Sequence, residues 1–153
     1  MEMRQRADGV TVINDSYNAN PDSMRAGVDA LVLATGARDG ATSWAVLGQM
    51  GELGDTAVDE HSALAGYLAE HGVDRLVAVG EGANARALAD AAEAMGLNTV
   101  RASDPDAAAK AVAKELRPGD VVLVKASYAD GLWRVADVLA PVTQQNSTER
   151  RGK

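Results

Sequence analysis

Four polar segments stand directly after short apolar runs, and their side chains set the chemistry open to this chain. Asp15-Ser16-Tyr17-Asn18-Ala19-Asn20-Pro21 follows the run 10–14, and Gly48-Gln49-Met50-Gly51-Glu52-Leu53-Gly54 follows 43–47. Gly80-Glu81-Gly82 follows 76–79, and Lys125-Ala126-Ser127-Tyr128 follows 121–124. If the runs are parallel strands, all four segments open on one edge of a sheet, where α/β domains bind ligands. Asp15 is the sharpest residue. A carboxylate ending a buried strand can hold ribose hydroxyls or a metal, or it can cap its own loop as an Asx-turn; the two readings stand even. Tyr17 can stack on a base or cover the loop, and Asn20, just before Pro21, reads as a helix N-cap. Lys125 suits a carboxylate or phosphate, helped by the N-terminus of the helix that follows; the plain alternative is a lysine snorkelling to the rim. Ser127, two residues on, can share that ligand, whereas Tyr128 and Trp133 read as packing residues.

His61 shares a helical stripe with Ala57, Leu64 and Leu68. A histidine in such a stripe is more often a hydrogen-bonded structural residue than a general base. Glu52 and Asp55 read as loop carboxylates, and His71 as a helix-end residue favoured by the dipole. Gly80-Glu81-Gly82-Ala83-Asn84-Ala85 matches G-x-G-x-x-A, but the acid that should end the next strand is replaced by Arg101. Glycine at a strand-to-helix turn is explained sterically. The sequence contains no G-x-x-x-x-G-K-[ST] and no nucleophile-elbow triad, so it reads as a chain that binds or completes a site.

The elements that must carry these residues follow from spacing. The β-branched runs 10–14, 43–47, 76–79 and 121–124 are nearly continuous in apolar character, as strands buried on both faces are. Residues 98–101 add a further strand. Helical spacing appears at Met24, Val28, Leu31 and Val32, at 57–68, and at Leu88, Ala91, Ala92 and Met95. Asn20-Pro21 and Asp104-Pro105 mark helix starts, 107–116 reads as a helix, and 131–139 as the last one. Asp8-Gly9 between 2–6 and 10–14 signals a β-hairpin. The fold class expected is therefore α/β, a doubly wound, mostly parallel sheet with an N-terminal β-hairpin. One domain is expected over 1–143, and 144–153, which has no apolar anchor, reads as a disordered tail.

Composition narrows the function classes. The 153 residues are 46% hydrophobic and 24% charged, which excludes general disorder. A net charge of −7 argues against a nucleic-acid or anionic-membrane partner. There is no cysteine, hence no disulfide scaffold, Cys-bound zinc or thiol nucleophile, which fits a cytoplasmic location. Two histidines make a His-based metal site unexpected. No apolar stretch is long enough to span a membrane, and the first residues do not form a signal peptide. With no phenylalanine, the core is expected to be Val, Leu, Ile and Ala.

Asn14-Asp15-Ser16-Tyr17-Asn18-Ala19-Asn20-Pro21-Asp22-Ser23-Met24 resembles a motif of the C-terminal domain of the Mur ligases, the ATP-dependent amino-acid-adding enzymes of peptidoglycan synthesis. Three more segments agree in order. Asp8-Gly9-Val10-Thr11-Val12-Ile13 is like the lead-in strand, and residues 46–54 with His61 are like V-L-G-x-M-x-E-L-G…H. Residues 121–127 are like V-L-V-K-G-S, with Ala126 for the glycine and Tyr128 where an arginine is common; Gln49 stands where an acid is common. The resemblance covers the chain except its tail, and is nearest to the members that add D-alanyl-D-alanine to a UDP-N-acetylmuramoyl-tripeptide. It implies a Rossmann-like third domain that closes over ATP and positions the dipeptide, joined to an N-terminal and a central domain, the latter carrying the P-loop. ATP and Mg2+ are implied for the complete enzyme, none held by this domain alone, and the isolated chain is expected to be inactive. Asp15 matches the residue contacting the ATP ribose, with Tyr17 and Asn18 beside it. Asn20, Lys125 and Ser127 are assigned to the dipeptide, and Glu52 and His61 match positions with no role assigned. Two other classes compete: a stand-alone dinucleotide-binding oxidoreductase resting on 80–85, and a non-catalytic module binding a small anion or a protein at the same edge.

Overall fold

Alternation along each strand decides the layers. Ile13, Leu47, Leu76, Ala78 and Leu123 point to one face of the sheet, and Val12, Val46, Val77, Val122 and Val124 to the other. Both faces are apolar, so each strand must be covered twice. The computed structural model describes residues 1–142, and the tail expected over 144–153 lies outside them. In chain order the elements are β1 (Glu2–Gln5), β2 (Thr11–Asp15), α1 (Pro21–Gly36), β3 (Ser43–Leu47), α2 (Ala57–Glu70) and β4 (Arg75–Val79). They continue with α3 (Ala83–Ala94), β5 (Asn98–Ala102), α4 (Pro105–Glu115), β6 (Val121–Lys125) and α5 (Trp133–Leu139). One sheet takes the order β1-β2-β6-β3-β4-β5, with β1 antiparallel to β2 and every other pair parallel. Met24, Leu31, Leu64, Leu68 and Leu88 bring α1, α2 and α3 onto the first face; Val112, Val135 and Leu139 bring α4 and α5 onto the second. This is the doubly wound α/β domain with an N-terminal hairpin that the sequence predicts. Among the described residues no helix is long and apolar enough to cross a membrane.

The differences from expectation have local causes. β2 and β6 each run one residue beyond their apolar stretch, because Asp15 and Lys125 stay in ladder register with each other and backbone pairing is indifferent to side-chain charge. Residue 10, expected in the strand, belongs to the turn, where its N–H meets Asp8 and its carbonyl accepts from Arg6 N–H. α4 starts at Pro105 because Asp104 Oδ1 accepts from Ala107 N–H at 2.8 Å. The last helix starts two residues late, since Gly131 closes a 3-10 turn in left-handed backbone at φ 67°. The core is not purely aliphatic: Trp44 is its largest fully buried side chain.

Trp44 needs a partner for its indole N–H, and Asp120 supplies it at the opposite edge from the polar segments. The buried Asp120 carboxylate accepts from Trp44 Nε1 at 3.2 Å, Thr42 N–H at 3.0 Å and Arg117 N–H at 3.0 Å. Asp120→Ala strips three donors of one acceptor and is expected to cost about 3 kcal/mol, read as a lowered urea midpoint with unchanged slope.

Candidate functional site

The strand order decides which polar segments meet. The connection after β2 leaves over one face and that after β6 over the other, so the chain diverges between these neighbours and a crevice opens at their carboxyl ends. β3 borders β6 on its other side. The segments after β2, β6 and β3 thus share one lip, although β6 comes last in sequence.

Asp15 and Lys125 close the gap between β2 and β6. Lys125 Nζ donates to Asp15 Oδ2 at 2.6 Å and to the Asn18 carbonyl at 3.2 Å. The lysine side chain is only 1% exposed and the aspartate 20%. Lys125 therefore does not snorkel; its stem lies under α1, where Gly27 leaves room, since a Cβ there would stand 3.1 Å from Lys125 Cδ. Two of the three ammonium N–H groups are thus committed, and the third is screened from solvent with the rest of the side chain.

Tyr17 is exposed and stacks on Tyr128, ring centroids 5.7 Å apart and planes 15° apart. Tyr128 and Trp133, expected to pack inside, are exposed, 58% and 36%, and with Tyr17, Asn14 and Arg4 they line a shallow groove beside Asp15. Packing is satisfied without them because the small α5 residues Val135 and Ala136 fill the space beneath. Asn20 caps α1: its Oδ1 accepts from Ser23 N–H at 2.8 Å while Ser23 Oγ accepts from Asn20 N–H at 3.0 Å. The side chains of Asn18 and Asn20 are at the surface of the same loop.

His61 is buried below the lip. Its Nε2 accepts from Met50 N–H at 3.0 Å, which requires the tautomer protonated at Nδ1, and Nδ1–H donates to the Ala57 carbonyl at 2.6 Å. Both nitrogens are committed to holding the segment after β3, so the structural reading of this histidine fits its surroundings. Glu52 is exposed on that segment in left-handed backbone, φ 59°, unusual for a residue with a Cβ.

Three residues to which sequence reasoning gave no site role tie the lip together. Gln49 N–H donates to Asp130 Oδ2 at 2.6 Å, and Asn84 Nδ2 donates to Gln49 Oε1 at 3.0 Å. Gly48 is required beside them, because a Cβ there would lie 2.5 Å from Asp130 Oδ2 and 2.8 Å from Ala126 Cβ. Asp130-Gly131 is legible as a turn signal, but its partner is not. The 80–85 segment does form the β4-to-α3 turn. The strand end it needs is unsuited to ribose: Arg101 is held by Glu93 and Asp90, which raise its pKa, and Asp104 caps α4.

A family pattern described as Mur ligase, glutamate ligase domain, matches residues 1–128. The chain belongs to the Mur ligase family. UDP-N-acetylmuramoyl-tripeptide–D-alanyl-D-alanine ligase of Mycobacterium leprae is 47% identical over 151 residues, covering 91% of this chain and 29% of that protein. The Mycobacterium tuberculosis protein of the same name is 47% identical over 154 residues, 91% of this chain and 30% of its own. Among solved structures, the MurF ligase of Thermotoga maritima in complex with ADP has a TM-score of 0.72 at 27% identity, covering 97% of this chain and 31% of that one. MurF from Acinetobacter baumannii has a TM-score of 0.74 at 29% identity, covering 90% and 30%. This Mur ligase domain thus spans about a third of the length of the relatives it matches. Two of the segments that carry the resemblance, 14–24 and 121–127, have side chains that meet at Asp15 and Lys125.

Removing one member of a nearly buried ion pair leaves the other charge without its partner. Lys125→Met is expected to lower stability by about 3 kcal/mol, and adding Asp15→Asn to recover part of the loss, measured by urea unfolding of the single and double variants.

Proposed function

We propose that this domain is the C-terminal part of a cytoplasmic, ATP-dependent ligase that joins D-alanyl-D-alanine to UDP-N-acetylmuramoyl-tripeptide in peptidoglycan synthesis. The observation that carries the reading is the 47% identity, over 91% of the chain, to proteins named for that reaction. In the reaction ATP phosphorylates the terminal carboxylate of the tripeptide and ADP is released. The dipeptide amine then attacks the acyl phosphate carbon, the C–O bond breaks with its electron pair leaving on inorganic phosphate, and the new amide nitrogen loses a proton. The P-loop and the sugar-peptide site belong to the central and N-terminal domains of the complete enzyme. The isolated domain is accordingly inactive.

The crevice supports a division of labour. Asp15 accepts hydrogen bonds from the ATP ribose, with Tyr17 and Asn18 alongside, and the buried Lys125 ammonium keeps Asp15 aimed. Ser127 and Asn20 face the dipeptide, and Lys125 reaches its carboxylate only when the ribose has drawn Asp15 away. His61 acts through the backbone, fixing the segment that carries Glu52. ATP and Mg2+ are used by the complete enzyme, and neither is held by this domain alone. The small-anion or dinucleotide module remains the competing reading, and it has no use for a dipeptide.

Steady-state kinetics of the complete enzyme test the assignment. Asp15→Ala is expected to raise the KM for ATP about tenfold, the loss of one charge-assisted hydrogen bond, and Lys125→Ala to raise the KM for the dipeptide and, through the unheld Asp15, that for ATP. Ser127→Ala is expected to raise the KM for the dipeptide and leave that for ATP. Unchanged constants for both substrates in any one variant remove that residue from the site.

A further inference from the structure

We infer that Asp130 is a positioning residue that aims the Ser127 hydroxyl at the incoming dipeptide, an inference that rests on the ligase reading. Asp130 lies in the 3-10 turn after β6, five residues past the strand's end, and its hydrogen bonds among the described residues go to Gln49 and Ser127 rather than to the groups assigned to ATP. Its place becomes clear from a closed cycle of hydrogen bonds. Ser127 N–H donates to the Gln49 carbonyl at 2.8 Å, Gln49 N–H donates to Asp130 Oδ2 at 2.6 Å, and Asp130 N–H donates back to the Ser127 carbonyl at 3.1 Å. Both backbone polar groups of Ser127 are thereby fixed, one by each partner, and the partners are fixed to each other.

The Ser127 hydroxyl has no hydrogen bond among the described residues, and the residue is only partly buried. With the backbone held, Oγ is confined to the three staggered positions about Cα–Cβ and its proton turns about Cβ–Oγ, so the cycle confines a loop serine to a few donor and acceptor positions at one point of the lip. Gly51 faces it from the segment after β3, where an added Cβ would stand in ordinary contact, 3.8 Å from Ser127 Cβ. Gly48 belongs to the same device, since any side chain there would expel the Asp130 carboxylate. A second contact, Gln49 Nε2 to Asp130 Oδ1 at 3.4 Å, and the Asn84 bond to Gln49 keep the glutamine from swinging out.

The test uses the complete enzyme carrying Asp130→Ala, Asp130→Asn, Ser127→Ala and the double variant Ser127→Ala/Asp130→Ala, with KM and kcat measured for ATP and for D-alanyl-D-alanine. Asp130→Ala is expected to raise the dipeptide KM about tenfold while kcat and the ATP KM change less than about twofold. Asp130→Asn keeps an acceptor for Gln49 N–H and is expected to retain most of the wild-type KM. The double variant is expected to match Ser127→Ala alone, because Asp130 acts through that hydroxyl. Additive losses, an Asn variant as impaired as the Ala variant, or equal damage to both substrates would overturn the role of Asp130. Absence of ligation by the unsubstituted enzyme would overturn the ligase reading itself, and the role with it.

Discussion

The insertion of β6 between β2 and β3 is the constraint on which the rest of this domain depends. The strand reached last along the chain becomes central in the sheet, with Val122 and Val124 on one face and Leu123 on the other, all buried. Its return from the β5 side, under α4 on the face opposite α1, creates the divergence of connections that opens the crevice. Without that return, Asp15 would end an edge pair and Lys125 would have no carboxylate beside it.

The crevice then carries a charge pair at the margin of a mainly apolar core. Taking an ammonium out of water costs several kcal/mol, and only close, well-directed oxygens offset it. Asp15 Oδ2 and the Asn18 carbonyl are those oxygens here, both supplied by the segment after β2. The pair therefore links the shape of that segment to the end of β6, and any ligand that engages Asp15 acts on Lys125 as well. A similar economy governs the segment after β3, held from below by the neutral His61 ring and from the side by Asp130. These ties explain why loops rich in glycine, which would otherwise be entropically free, present a defined lip.

Much of the domain was legible in one dimension. Period-two and period-3.6 patterns, the Asn20-Pro21 and Asp104-Pro105 caps and the Asp8-Gly9 turn mark nearly every element, because propensity and capping act within a few residues. The ends of β2 and β6 were missed by one residue each, since an apolar count stops at a charge and a hydrogen-bonded ladder does not. Asp15, Lys125, Ser127 and His61 were legible as candidates from their position after apolar runs or in a helical stripe. Asp130, Asn84 and Gln49 were not, because their partners stand 81 or 35 residues away in sequence.

The sequence by itself determined the class of fold, the edge of the sheet where polar groups collect and, through the 14–24 motif, the family. Only the tertiary structure decided how those groups are spent. Whether Lys125 reaches outward or turns to Asp15 depends on which strand lies beside β2, and strand order is set by packing of both sheet faces rather than by any local signal. The same holds for Tyr128 and Trp133, whose exposure follows from how completely the smaller residues of α5 fill the layer beneath them.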